Sequence, residues 1–289
     1  MYALVVTVPS AEVELASDAL WSAGVVAIEE RAAGADHGRG DEATELWTSL
    51  GEDPGDVETA AGAVLARWPW RLVEVDERVG QSWREFAPAT LLCPCDSAAM
   101  VLAPEWMDAG EARSQTGADE ATELVTVEPG ETFGLGDHPT TRATAEALLD
   151  LVTPGCRVLD VGTGSGVLAI VAMRRGAAHA VGIDLHPACV PVTRHNASAN
   201  GVEVEVSTTP LDAVEGEFDL VLANILAPTL IALSDDLKRV TAPGGRLVIS
   251  GILADRHDHV LAALAPMTVE SARVVDGWAA VVLRHPTGG

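Results

Sequence analysis

Hydrophobic positions along the first 75 residues follow two alternating patterns. Ala3 to Val8 is Val-rich and alternates as a half-buried strand does, and Val25–Glu30, Thr44–Leu50 and Trp70–Val75 repeat the pattern. Between them, apolar residues return at helical spacing. Ser10 stands where a cap belongs for a helix with Val13, Leu15, Ala16, Ala19 and Leu20 on its buried side, ending at Gly24. A second helix covers Val57–Trp68 through Val57, Ala61, Val64 and Leu65, and the polar, Gly-rich stretch 33–42 reads as a hairpin loop. The order βαββαβ predicts a small α+β ferredoxin-like unit over residues 1–78. No nucleophile, base or metal ligands converge in it, so binding or positioning is the role it suits.

The pattern weakens over residues 79–120, which read as a connector punctuated by Trp83, Phe86 and Trp106, with short strands at Thr90–Cys93 and Met100–Ala103. Glu111–Glu123 is polar enough for an exposed loop or linker. From residue 121 onward, apolar runs alternate with helical spacing. Strands are expected at Leu124–Val127, Val158–Val161, Ala180–Ile183, Glu203–Ser207, Phe218–Asn224 and Leu247–Ser250. Helices are expected at Thr141–Val152, from Val167, at Pro187–Asn200 and at Pro228–Val240. Repeated strand-helix units force right-handed crossovers and a doubly wound, mainly parallel sheet over residues 121–289. Thr268–Val275 and Ala279–Arg284, about a turn apart, suit an antiparallel hairpin at its edge.

The candidate chemistry sits where the first core strand ends. Arg157 to Val161 carries Asp160 and is broken by Gly162, Gly164 and Gly166, after which Val167, Leu168, Ile170 and Val171 resume at helical spacing. Strand, glycine turn and helix make a cofactor cradle, because glycine lets backbone approach a ligand and a helix start offers free N–H groups. The next strand ends in Asp184, eighteen residues beyond Gly166, where a carboxylate can accept both hydroxyls of a ribose. S-adenosylmethionine and dinucleotide sites share this much. The dinucleotide fingerprint wants glycine where this chain has Val167, which favours S-adenosylmethionine. A second loop, Pro129 to Thr141, enters just before the cradle strand and can fold over it with Phe133, Gly134, Gly136 and His138. His138 reads as a histidine that holds this loop by hydrogen bonding, ahead of a ligand or base; Thr141 can cap its helix or bond the cofactor carboxylate.

The loop Phe133-Gly-Leu-Gly-Asp-His-Pro-Thr-Thr141, the cradle Asp160 to Ile170, the run Ala177 to Asp184 and the tetrad Asn224-Ile-Leu-Ala227 together resemble the PrmA family. Those enzymes methylate amino groups of the large-subunit ribosomal protein L-11. The resemblance implies a class I methyltransferase domain, whose sheet habitually ends in an antiparallel hairpin. It also implies cytoplasmic S-adenosylmethionine-dependent N-methylation of lysine or N-terminal amines, and cofactor contacts from Thr141, Gly162, Asp184 and Asn224. The N-terminal unit carries a fainter likeness, and in that family it recognises the substrate protein. The family usually has Thr at the position of Leu135, so an isobutyl group replaces a hydroxyl beside the transferred methyl. Methyl transfer to an amine is largely a matter of positioning. Asn224, with the backbone around Ile225 and Leu226, is expected to accept amine hydrogens, although Asn224 can also simply cap its strand. A methyltransferase for another protein or a small molecule, and a non-catalytic cofactor-binding interaction module, are the other readings of these residues.

Composition narrows the partners. The longest apolar run, Leu220–Leu233, is interrupted by Asn224 and Pro228 and falls short of the roughly twenty residues of a membrane helix. The N-terminus has no basic region or cleavage signature of a secretion signal. Cys93, Cys95, Cys156 and Cys189 form no zinc spacing and read as reduced thiols, and no metal is implied. The net charge of −25 is concentrated in residues 1–150, with 8 basic against 29 acidic side chains. Direct nucleic-acid binding is disfavoured and a basic protein partner is steered toward this half, though acidity also serves solubility.

Overall fold

The alternating segments of the first 75 residues form one antiparallel sheet. A computed structural model describes residues 2–22, 25, 28–32, 43–48, 58, 61–62, 66–74, 87–130, 134–255 and 257–287. Strands β1 (Tyr2–Pro9), β2 (Ile28–Ala32), β3 (Ala43–Thr48) and β4 (Trp70–Glu74) lie in the order β2-β3-β1-β4. Adjacent pairs are all antiparallel, the arrangement of a ferredoxin-like unit. Leu4, Val6 and Val8 of β1 are buried with Ala16 and Leu20 of helix α1 (Val13–Ser22). Leu15, assigned from sequence to the same buried side, is 48% exposed. Ser10 opens a short 3₁₀ turn ahead of α1, its hydroxyl 3.2 Å from that of Thr44. Glu58, Ala61 and Gly62 are helical; the rest of the second expected helix, the 33–42 loop, Trp83 and Phe86 lie outside the described residues.

The chain divides into two compact units, Met1–Ala87 and Pro88–Gly289. Residues 88–120, taken from sequence as part of a connector, are folded into the second. Strands β5 (Thr90–Leu92) and β6 (Met100–Pro104) pair antiparallel, and β6 pairs parallel with β7 (Glu123–Val127). The crossover is helix α2 (Ala109–Thr116), where the sequence suggested an exposed linker. It buries only Ala112, which is why no hydrophobic period announced it; its signals are its ends. The Asp108 carboxylate accepts from the N–H groups of Gly110 and Glu111, and Gly117 closes the helix at φ +71°.

The seven-stranded sheet follows the doubly wound plan. Its strands are β8 (Arg157–Val161), β9 (His179–Ile183), β10 (Glu205–Ser207), β11 (Phe218–Asn224), β12 (Thr241–Leu253), β13 (Thr268–Val275) and β14 (Trp278–Arg284), in the order β10-β9-β8-β11-β12-β14-β13. The first five run parallel and β14 returns antiparallel between β12 and β13. Both faces are covered. Val158, Leu220, Leu222 and Val248 pack under α3 (Pro139–Leu151) and α4 (Val167–Arg174), together with Leu92, Leu102 and Val125 of the small sheet. Leu159, Val221, Ala223, Leu247 and Ile249 face the other way. There they meet Leu230 of α6 (Ala227–Ala232), Leu237 of α7 (Ser234–Val240) and Val260 of α8 (Asp258–Ala263). The period of two within each apolar run thus feeds two cores, as a sheet buried on both faces requires. The single helix expected over Pro228–Val240 is broken at Leu233 into α6 and α7.

Candidate active site

The chain runs outward from β8 through β9 to β10, then crosses back to lay down β11 and β12 on the other side. The strand order therefore reverses between β8 and β11. In open α/β sheets ligands bind outside the carboxyl ends of the strands at such a switch point. Here those ends carry Asp160 on β8, Asp184 just past β9 and Asn224 closing β11.

Asp160 is fully buried. Its Oδ2 accepts from the Thr163 hydroxyl at 2.7 Å, and its Oδ1 is buried with no partner among the described residues. Burial raises its pKa to about 6 against the pull of Thr163 and the Ala169 N–H, and the charge of Asp184 adds to the rise. A buried anionic oxygen without a donor is costly unless a cation or donor comes to it. Asp184 is tied into the turn: Oδ2 accepts from the Gly164 N–H at 3.0 Å and Oδ1 from the His186 N–H at 2.9 Å. A carboxylate has about four lone-pair sites, so roughly two stay available for hydroxyls. The neighbouring Leu185 is 80% exposed, an apolar surface beside a polar grip. Cys189, buried against Asp184, has its thiol pushed up to about 12 by burial first and then by that carboxylate, so it stays protonated.

Two of the cradle glycines also serve packing within the protein, the other reading that a glycine turn between strand and helix allows. Gly162 and Gly166 have φ of +73° and +82°, but the space a Cβ would take is filled by protein. It would stand 2.5 Å from Ile225 Cγ2 at the first position and 2.6 Å from Thr193 Cγ2 at the second. These glycines admit β11's tetrad and the helix α5 (Cys189–Ala199) rather than a ligand. Beside the turn stand Asp184 and the amino end of α4, with Asp160 Oδ1 enclosed at the end of β8. An amino-acid ammonium, a ribose and a carboxylate are the groups these match.

The 129–141 loop reaches this turn from α3. Phe133 lies outside the described residues. The Gly134 carbonyl accepts from the buried Ser165 hydroxyl at 2.6 Å, which ties the loop to the cradle, and Gly136 sits buried against Leu102. His138, rather than Thr141, caps α3, accepting at Nδ1 from the Thr140 N–H at 3.3 Å, with its ring edge-on to Trp278. Burial lowers the His138 pKa, which keeps the imidazole neutral and able to accept. Thr141 is buried instead at the site, where its hydroxyl accepts from Asn224 Nδ2 at 3.4 Å. In this orientation of the amide, Asn224 Oδ1 is the group left to act as an acceptor.

A model of the family described as ribosomal protein L11 methyltransferase (PrmA) matches residues 2–286. The chain belongs to the PrmA family. A protein named ribosomal protein L11 methyltransferase from Geobacter sulfurreducens is 43% identical over 208 residues, 72% of this chain and 65% of that one. One of the same name from Symbiobacterium thermophilum is 41% identical over 190 residues, 65% of this chain and 60% of that one. The chain thus spans slightly less than two thirds of these relatives. A crystal structure described as ribosomal protein L11 methylase from Lactobacillus delbrueckii subsp. bulgaricus superposes with a TM-score of 0.58 at 29% identity, covering 68% of this chain and 98% of that one.

Two residues outside the PrmA motifs brace the surrounding elements. Asn196 and Asn200 of the segment ending α5 lay their side chains along the free edge of β7. Asn200 accepts from Thr126 N and donates to Thr126 O; Asn196 does the same with Glu128, at 2.7–3.0 Å. Asn196 also donates to Ser165 O at 2.8 Å. Four residues of helix rise about 6.0 Å. Two residues of strand rise about 6.6 Å. An N-x-x-x-N helix can therefore stand in for a strand, and this spacing was the signal in the sequence. Ser165 holds the loop at both its root, through Asn196 and Glu128, and its tip at Gly134. Among the described residues no helix is long and apolar enough to cross a membrane, and no group of His, Cys, Asp and Glu is placed to hold a metal.

Proposed function

We propose that this PrmA-family protein is an S-adenosylmethionine-dependent N-methyltransferase that modifies lysine or N-terminal amino groups of ribosomal protein L11. The observation that carries the reading is the polar trio at the switch point: the unpartnered Asp160 oxygen, the half-engaged Asp184 carboxylate and the oriented Asn224 amide, at the carboxyl ends of three neighbouring strands. Bound there, S-adenosylmethionine supplies an electrophilic methyl on a sulfonium. The protein's own part is to hold and aim. Asp184 grips the ribose, Asp160 Oδ1 receives the ammonium, and Thr141 and the start of α4 face the carboxylate. Asn224 Oδ1 and the peptides of Ile225 and Leu226 accept the hydrogens of the incoming amine and turn its lone pair toward the methyl. The amine has to be neutral, and free lysine has a pKa of about 10.4, so its proton leaves to water before it settles against acceptors that offer no counter-charge.

The N-terminal ferredoxin-like unit recognises the substrate protein, and the ribosomal partner places the activity in the cytoplasm. Intact-mass spectrometry of L11 after incubation with protein and S-adenosylmethionine tests the reading. L11 should gain mass in steps of one methylene, and Asn224→Ala should slow the first step by about 100-fold, as expected for loss of an aligning group. An unchanged L11 mass, with label from the donor appearing on a different protein of a cell extract, would replace the substrate. Undiminished turnover by Asn224→Ala would remove the amide from the chemistry.

A further inference from the structure

Strand β12 runs past the point where β11 stops and stays paired with β14 to Leu253. It pairs with β11 as far as Asn224 opposite Ser250, so the next residues, Ile225 and Gly251, leave the ladder at the same level. On its other edge Ile249 lies opposite Val281 and Ile252 opposite Ala279, so Ser250 and Gly251 together oppose the single residue Ala280. This is a β-bulge, a device that bends a strand and re-aims its backbone. Its second residue, Gly251, has φ of +82°.

The bulge is aimed at one peptide. A Cβ on Gly251 would lie 2.5 Å from Ile225 O, 2.8 Å from its carbonyl carbon and 3.3 Å from its N. These are backbone atoms, which cannot swing aside as a side-chain tip can. From the opposite side Ile225 Cγ2 presses to 2.5 Å of the place a Cβ would occupy on Gly162. Residue 225 is held between two bare Cα atoms, one closing β8 and one in the bulge of β12.

We infer that Gly251 is a positioning residue for the methyl acceptor. By carrying no side chain it fixes the height of the Ile225 peptide, and through it Asn224 and Leu226, while its three nearest neighbours include no atom of Asp160, the glycine turn or Asp184. This rests on the proposed reading of residues 224–226 as the acceptor side. It separates two properties that a merely structural glycine would lose together.

The test is Gly251→Ala in the full chain, with S-adenosylhomocysteine affinity by calorimetry and initial rates on L11 at saturating donor. The expected result is a kcat lower by about 30-fold or more with S-adenosylhomocysteine affinity within about threefold of the parent, the loss that a misplacement below 1 Å can produce. Gly277→Ala is the control, because Gly277 has the same left-handed φ of +83° but nothing within 4 Å of an added Cβ; it should keep the parent kcat. Should Gly251→Ala fail to fold, Ile225→Ala, which loosens the grip by deletion and cannot clash, should give the same split. Parent-like kcat in Gly251→Ala, or equal loss of affinity and turnover in both variants, overturns the inference. A readout without turnover separates it from the proposed function: backbone amide NMR signals of residues 224–226 should move in Gly251→Ala while those of 162–166 stay. A parent that binds S-adenosylhomocysteine but methylates nothing would count against the acceptor reading, with the NMR pattern still deciding for or against Gly251.

Discussion

Asp160 and Asp184 end neighbouring strands, yet their surroundings give them different chemistry. With a folded pKa of about 6 against an ordinary 3.8, Asp160 keeps a proton that the unfolded chain has already released. Stability from this group therefore declines as pH rises from roughly 4 to 6, by about 3 kcal/mol once it is ionised. A cation at Oδ1 reverses the preference, because it binds the ionised form. S-adenosylhomocysteine affinity should accordingly rise about tenfold per pH unit up to about pH 6 and then level off. Asp160→Asn should flatten that profile; a flat profile in the parent would show that no cation meets Oδ1. At this scale the sequence was informative where a polar residue interrupts an apolar run, as Asp160, Asp184 and Asn224 do, and the histidine read as a loop-holder is the cap of α3. It was silent on Gly251, because a bulge exists only relative to a register with β11 and β14 that no local pattern encodes.

The elements around the site depend on a junction between unlike structures, a helix edge against a strand edge. Asn196 satisfies three backbone groups at once, two half-buried on Glu128 and one buried on Ser165. Asn196→Ala leaves them without partners and should destabilise the second unit by roughly 2–4 kcal/mol, given about 1–3 kcal/mol per unsatisfied buried group and partial relaxation. Thermal melts should fall by about 5–10 °C. A melt within 1–2 °C of the parent, well under the roughly 2–4 °C expected per kcal/mol, would mean that water replaces the amide. The long elements of the doubly wound sheet were legible because burial on both faces leaves continuous apolar runs bounded by glycine and proline. The small β5-β6-β7 sheet was not: its strands are short, its helix buries one alanine, and its outer edge is completed by side chains 68 and 74 residues further along the chain.

Across the whole molecule the acidic charge is unevenly placed. Residues 1–150 balance to −21 and the remainder to −4. A basic substrate protein approaching the front half is steered over distances that salt shortens, about 10 Å at 0.1 M ionic strength. Raising NaCl from 50 to 300 mM should therefore raise the KM for L11 by about tenfold while leaving S-adenosylhomocysteine affinity nearly unchanged, since salt screens long-range attraction more than close hydrogen-bonded contacts. Equal salt sensitivity of both would place the charge effect elsewhere. Beneath all of this stands the proposed seating of an adenosyl donor at the β8/β11 switch point. Calorimetric titration of the full chain and of Asp184→Ala with S-adenosylhomocysteine and with NAD tests it most directly. The account predicts that the parent binds S-adenosylhomocysteine and not NAD, with affinity lowered at least about 30-fold in Asp184→Ala, the loss of a hydrogen-bonded charged grip. Binding of NAD alone, or equal S-adenosylhomocysteine affinity in parent and variant, would contradict it.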